Sequence, residues 1–268
     1  MGYSRRAFLS LASVGMPATL ITGASTAEPA ESMRVNSFYP TQPPELVQEM
    51  VVVAHTNLAR VQQLVEHQPT LAKATWDWGF GDWETALGAA SHIGRPDIAE
   101  VLLTNGAHPT IFSAAMLGQV DVVKAFVAAR SGVQRMRGPH SISLMQHAIA
   151  GGPRSQAVVE YLKTIEGAAD GPATQPLTDA EVATLEGVYT FGPTPADRIE
   201  ISVVQRQLQL ARPGHYPRGL FHLSQFEFCP IGAESVRVRF SPGADEVALG
   251  IYDPDLVLVA TKRNAQAG

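Results

Sequence analysis

The chain has 268 residues, of which 45% are hydrophobic and 17% are charged, and its formal net charge is −5 at pH 7. This length supplies enough apolar material for one or two globular domains. The acidic balance argues against nucleic acid or an anionic membrane as the main partner, because both require a clustered basic surface. The single cysteine, Cys229, excludes an internal disulfide and a cysteine metal cluster, and its place among alternating aromatics predicts a buried apolar side chain.

The amino end has the three parts of a cleavable signal peptide. The sequence SRRAFLS at residues 4–10 leads into a mildly apolar run over residues 9–21, and small residues follow at 25–27. This pattern resembles a twin-arginine export signal. The apolar run is too short and too polar for a stable membrane span of about 20 residues. The resemblance implies a signal peptide at residues 1–27 and a periplasmic or secreted protein.

A proline-rich, irregular lead-in at residues 28–44 precedes a helical region at residues 45–166. The most regular pattern in that region lies at residues 85–109. Thr85 is placed to cap a first helix, a glycine then supplies a tight turn, and an apolar stripe marks a second helix. The repeat positions are Thr85, Leu87, Ala90, Gly94, Ile98, Leu102 and Gly106, with Gly118 in the next unit.

These positions resemble an ankyrin repeat, and weaker copies on both sides bring the total to about four units. One such unit cannot bury both of its faces, so the resemblance implies an ankyrin-type α-solenoid at residues 45–166. Gly94 and Gly118 are closer together than the usual ~33 residues of this repeat, which predicts a shortened hairpin between the second and third units.

Residues 167–177 are rich in Gly, Pro and Ala and are predicted to form a linker. Beyond them, apolar residues recur at every second position instead of at helical spacing. Short apolar runs alternate with turn signals over residues 178–262, before a tail at residues 263–268. This pattern predicts an antiparallel meander curled into a small open half-barrel. The predicted fold class is therefore α+β multidomain, with an ankyrin-type α-solenoid followed by a small antiparallel β half-barrel.

The β region also has an order of motifs that resembles a known domain. Leu185-x-Gly187-x-Tyr189 comes first, an aromatic strand lies at residues 226–228, and an apolar strand lies at residues 236–240. This order resembles a small β domain appended to bacterial serine hydrolases related to β-lactamases. The hydrolase domain itself is absent from the sequence.

Motifs for catalysis, phosphate binding or metal binding are not found in the sequence. The eight histidines do not occur at the i, i+4 spacing that places two ligands on one helix turn: His140 and His147 are seven residues apart, as are His215 and His222. His147 falls at a packed position of the predicted repeat. We therefore predict no catalytic residue, no metal and no cofactor, although folded export often accompanies a cofactor.

The stretch TWDWGFGDWE at residues 75–84 holds all three tryptophans. It lies where an ankyrin protein places a projecting hairpin, and tryptophans dominate interface hot spots. The predicted partner-binding residues are Trp76, Asp77, Trp78, Phe80, Asp82 and Trp83. Alternatively, the aromatics cover the end of the stack while Asp82 caps the next helix. In an intermediate case, packing holds two tryptophans and leaves one for the partner.

These patterns favour an exported, non-enzymatic interaction module that binds an unidentified protein partner through its hairpin and concave face. Two alternatives stay open. The first is a carrier whose β domain holds a small apolar ligand between its aromatic side chains. These side chains are Tyr189, Phe221, Phe226, Phe228 and Phe240. The second is an accessory or degenerate component of a hydrolase.

Overall fold

The computed structural model describes residues 37–264. The chain divides after Pro40: residues 37–40 form a turn, and the residues that follow form one compact unit. The predicted signal peptide at residues 1–27 lies outside the described residues. Within the described range, no helix combines the length and the apolar character needed to cross a bilayer.

Helices make up the first part of this unit. The α-helices are α1 (Pro44–Val53), α2 (Leu58–His67), α3 (Ala86–Ile93), α4 (Pro96–Thr104), α5 (Ile111–Met116), α6 (Val120–Ala129), α7 (Leu144–Ala150), α8 (Gln156–Lys163) and α9 (Asp179–Leu185). Short 3-10 helices lie at Pro69–Lys73, Val133–Arg135, Pro139–Ser141 and Gly152–Ser155.

Strands form a hairpin within the helical part and a barrel after it. The hairpin consists of β1 (Thr75–Asp77) and β2 (Trp83–Thr85). The barrel strands are β3 (Gly187–Thr190), β4 (Arg198–Val204), β5 (Gln207–Ala211), β6 (Arg218–Ser224), β7 (Glu227–Pro230), β8 (Arg237–Pro242), β9 (Glu246–Asp253) and β10 (Asp255–Arg263).

The boundaries of α3 follow from local chemistry. The hydroxyl oxygen of Thr85 accepts a hydrogen bond from the backbone N–H of Gly88 at 2.9 Å, which satisfies one of the free donors at the helix start. Gly94 ends the helix with φ 77°, a conformation that costs glycine little. On α4, Ile98 and Leu102 lie on one face and are fully buried.

The predicted ankyrin solenoid is wrong. In a solenoid each unit contacts only its sequence neighbours. Here α3 packs against both α5 and α7, and α5 also packs against α7, so the inner helices form a closed cluster. The 3-10 helices at Val133–Arg135 and Pro139–Ser141 lie in the connection between α6 and α7, and α7 then packs beside α3.

The predicted open half-barrel is also wrong, because the eight strands β3–β10 close into an antiparallel barrel. The last strand, β10, is nine residues long and pairs with β9 along one side. Its other side reaches β3, where Thr261 lies opposite Thr190. This pairing removes the free edges that a half-barrel would leave.

Aromatic side chains fill part of the barrel interior. The rings of Tyr189 and Phe228 are fully buried, and both pack against Phe240, with ring centroids 5.7 and 5.5 Å apart respectively. Side chains facing inward alternate with exposed ones, as Ile199, Glu200 and Ile201 show on β4. These three rings, named above as walls of a carrier site, therefore belong to the barrel's own core.

The predicted linker at residues 167–177 runs between the two parts and is held at both ends. Ala168 is buried in the core of the later helices, and Leu177 is buried in the barrel core. Between them, the backbone N–H of Gln175 donates to the carbonyl of His222 at 2.8 Å. The segment therefore packs along the molecule.

A pair of glycine substitutions tests the packing of α3 against α7. A methyl group at Gly94 would lie 2.1 Å from the backbone oxygen of Ala150, whereas one at Gly132, which has a similar φ of +86°, would meet open space. We expect Gly132→Ala to lower the free energy of unfolding by about 1 kcal/mol through backbone strain alone. Gly94→Ala should cost about 1–3 kcal/mol more, because two elements must separate. Equal losses in urea unfolding would contradict this packing.

Candidate metal centre

The hairpin of β1 and β2 presents two carboxylates on one face. Because side chains alternate along a strand, Asp82 and Glu84 point inward while Trp83 between them points outward. Asp82 is 3% exposed and Glu84 is fully buried, whereas Trp83 is 62% exposed. The hairpin thus carries two acidic groups into the interior.

Three histidines from separate elements surround Glu84. His55 lies in the turn after α1, His92 lies on α3, and His140 lies in the 3-10 helix before α7. Their Nε2 atoms are 3.5, 2.9 and 3.4 Å from the nearest carboxylate oxygen of Glu84, in that order. The Nε2 atoms of His55 and His92 are 3.2 Å apart. Four ligand atoms therefore converge on one point.

These separations match the size of a metal coordination shell. In the set His55, Glu84, His92 and His140, the ligand atoms all lie within 4.8 Å of one another. A tetrahedron built from metal–ligand bonds of 2.0–2.1 Å has edges of about 3.4 Å. Three imidazoles and one carboxylate are ligand types that divalent first-row transition metals accept.

The outer nitrogens of two of these rings are held by acceptors. His55 Nδ1 donates to the carbonyl oxygen of Val51 at 3.0 Å, and His140 Nδ1 donates to the Asp82 carboxylate at 2.7 Å. A proton fixed on Nδ1 leaves the lone pair of a neutral imidazole on Nε2, directed at the cluster. Metal-binding histidines in proteins are oriented by the same kind of partner.

Asp82 connects this cluster to the barrel. Its carboxylate accepts hydrogen bonds from the backbone N–H of His140 at 2.9 Å and from the guanidinium of Arg218 on β6 at 2.6 Å. Arg218 also donates to the carbonyl of Trp78 at 2.6 Å. A side chain at Gly232 would collide with the Asp82 carboxylate, so glycine permits this close approach. The barrel thereby fixes the carboxylate that orients His140.

The protonation states reflect the mutual neutralisation of these groups. Burial opposes ionisation of Glu84, but hydrogen bonds to His140 and His92 outweigh it and lower the pKa of Glu84 to about 2. Burial likewise disfavours the charged form of His140, but hydrogen bonds to Asp82 and Glu84 outweigh it and raise the pKa of His140 to about 9. In the metal-free protein, a protonated imidazole therefore supplies the positive charge that Glu84 requires.

The centre borders a cavity on one side. Glu84 and His92 form its floor, with side chains 0% and 8% exposed. His55 and His140 are 23% and 25% exposed and border a cavity of about 450 Å³. The indole N–H of Trp78, also at the cavity wall, donates to Glu84 at 2.7 Å. His55 and His140 are therefore the two members of the cluster that line the cavity.

The tryptophans of the predicted partner site are distributed between the interior and the surface. Trp76 and Trp78 pack against the core of the first helices, while Phe80 at the hairpin tip packs against the barrel core. Asp77 accepts a hydrogen bond from the backbone N–H of Gly79 at 2.8 Å. Of the six residues predicted to bind a partner, Trp83 presents an exposed aromatic surface.

Sequence reasoning missed the convergence of His55, Glu84, His92 and His140. The search for two histidines on one helix turn cannot find ligands that come from four separate elements. Asp82, predicted as a partner contact or a helix cap, accepts a hydrogen bond from His140 at 2.7 Å. Buried His147 is not part of the set: its Nδ1 donates to the Ser143 carbonyl at 2.9 Å, and burial lowers its pKa to about 4.

Comparison with models of known protein families and with curated proteins finds no match to this chain. The geometry of the centre therefore carries the functional argument.

Removal of the Asp82 carboxylate tests the link between the centre and the barrel. The side chain of Arg218 is 11% exposed and that of Asp82 is 2% exposed. We expect Asp82→Ala to lower the free energy of unfolding by about 3 kcal/mol in the presence of a chelator, because a buried guanidinium loses its counter-ion. As a matched control, Glu227→Ala removes a carboxylate that pairs with Arg239 at the surface and should cost less than about 1 kcal/mol. A similar small loss for both variants would contradict the proposed link.

Proposed function

We propose that this chain is a metalloprotein in which His55, Glu84, His92 and His140 bind one divalent transition-metal ion. The observation that carries the proposal is the convergence of three imidazole Nε2 atoms and one buried carboxylate at the separations of a coordination shell. Two of the three imidazoles are oriented by outer hydrogen bonds that direct Nε2 at the cluster, and an ion bound there would replace the Nε2 proton of His140.

Electrostatics supports the same proposal. The buried Glu84 carboxylate is expensive to keep charged unless a cation lies beside it. A divalent ion brings two positive charges to that carboxylate and binds three nitrogen lone pairs together, whereas a proton on one imidazole brings a single charge. Imidazole-rich sets favour zinc and its neighbours in the first transition row over magnesium or calcium.

The adjoining cavity favours more than a structural role for the ion. Structural zinc sites are closed by four protein ligands, whereas catalytic sites accept water or substrate and can expand to five ligands. Here two of the four protein ligands, His55 and His140, line the cavity, so an additional ligand would enter from that side as a fifth. We therefore propose that the ion takes up a fifth ligand from the cavity.

Zinc titration of chelator-treated protein tests the proposal directly. We expect binding of one zinc ion per chain by isothermal titration calorimetry. His55→Ala and His92→Ala should each weaken binding by about 100-fold or more, because loss of a ligand costs more than loss of an outer hydrogen bond. His67→Ala, an exposed histidine at the end of α2, is the matched control and should leave the affinity unchanged. Wild-type protein that binds no zinc would overturn the proposal.

Zinc should also stabilise the fold. An ion that binds only the folded chain raises the free energy of unfolding by about 2.7 kcal/mol when its free concentration is 100 times the dissociation constant. Urea unfolding with and without zinc measures this increment. The increment should fall to about 0.4 kcal/mol or less in His92→Ala and persist in His67→Ala, and full persistence in both variants would place the bound zinc elsewhere.

Interaction with a protein partner stays a separate prediction. The observation that favours it is the 62% exposure of Trp83 beside a cavity of about 330 Å³, which Asp82 and Arg137 also line. Binding there would use Trp83 and leave Glu84 to the metal centre.

A further inference from the structure

Apolar and aromatic residues line the cavity beside the proposed metal centre. Val52 on α1, the Trp78 ring and Tyr216 in the loop between β5 and β6 face it, together with Pro217. Trp78 and Tyr216 meet edge to face, with ring centroids 5.4 Å apart. Tyr216 is 63% exposed and forms the outer rim. A cavity of about 450 Å³ with mostly apolar walls has the size and character of a small-molecule site.

The charge around this cavity favours an anion. Among the described residues that line it, none is a carboxylate, and its one guanidinium, on Arg218, is already paired with Asp82. A divalent ion held by neutral imidazoles and by Glu84 keeps one uncompensated positive charge at the cavity floor. Bound cations are often the largest local charge in a site, and here that charge faces apolar walls.

We propose that this cavity binds a small organic anion that coordinates the ion through a carboxylate-type oxygen. Its flat apolar body lies against Trp78 and Tyr216, and Val52 forms the opposite wall. The oxygen approaches between His55 and His140, the two ligands that border the cavity. This inference rests on the proposed metal centre and adds to it the chemical class of the fifth ligand.

Cobalt-substituted protein provides the readout, because the visible absorption of cobalt(II) changes with its coordination. The probe is benzoate, which combines a carboxylate with a flat ring. We expect benzoate to change the cobalt spectrum in a saturable manner at lower concentration than acetate, which lacks the ring. Benzyl alcohol, which lacks the anion, should leave the spectrum unchanged at the same concentrations.

Two variants test the walls without altering the metal ligands. Tyr216→Ala should weaken benzoate binding by about fivefold through loss of an aromatic contact, and it should leave acetate binding unchanged. Val52→Trp fills the cavity and should abolish the benzoate effect while cobalt still binds. Trp83→Ala removes an equally exposed aromatic from the outer face of the hairpin and should change neither measurement.

The outcomes separate the two proposals. Wild-type protein that fails to bind cobalt overturns the metal centre and this inference together. Cobalt binding with a spectrum that benzoate does not alter overturns only the ligand site. A benzoate effect that is equal in wild-type, Tyr216→Ala and Val52→Trp proteins also overturns it, because the anion would then bind the ion without using the cavity.

Discussion

The structure depends on one constraint, which is that the buried carboxylate of Glu84 needs a cation beside it. Three imidazoles supplied by the end of α1, by α3 and by the segment before α7 surround that carboxylate within 3.5 Å. A proton on one ring or a metal ion among all three meets the need. Either solution requires these elements to meet at one point, and the apolar cores of the helices hold them there.

The hairpin of β1 and β2 connects Glu84 to both the helical part and the barrel. Its tryptophans Trp76 and Trp78 pack into the helical core, and Phe80 at its tip packs into the barrel core. Asp82 then joins His140 to Arg218 on β6. The barrel therefore supports the centre through Asp82. Because side chains alternate along a strand, Asp82 and Glu84 both face the interior while Trp83 between them faces solvent.

Local features are predictable from the sequence, whereas features that depend on distant contacts are not. Thr85 caps α3 and Gly94 ends it, because capping and left-handed turns depend on a few adjacent residues. The solenoid is wrong because α7 returns to pack against α3, and the half-barrel is wrong because Thr261 pairs with Thr190. The candidate metal centre is not predictable from sequence patterns, because its four residues, from His55 to His140, have no regular spacing along the chain.

The sequence by itself determined a helical region followed by a β region, the caps and turns of α3, and the concentration of aromatic and acidic residues in the hairpin. These properties follow from short-range periodicity and from intrinsic residue preferences. Only the tertiary structure decided that Asp82 and Glu84 face inward, that three distant histidines join them, and that Trp83 alone among the tryptophans is largely exposed. The physical reason is that convergence depends on how whole elements pack, and packing is a property of the entire chain.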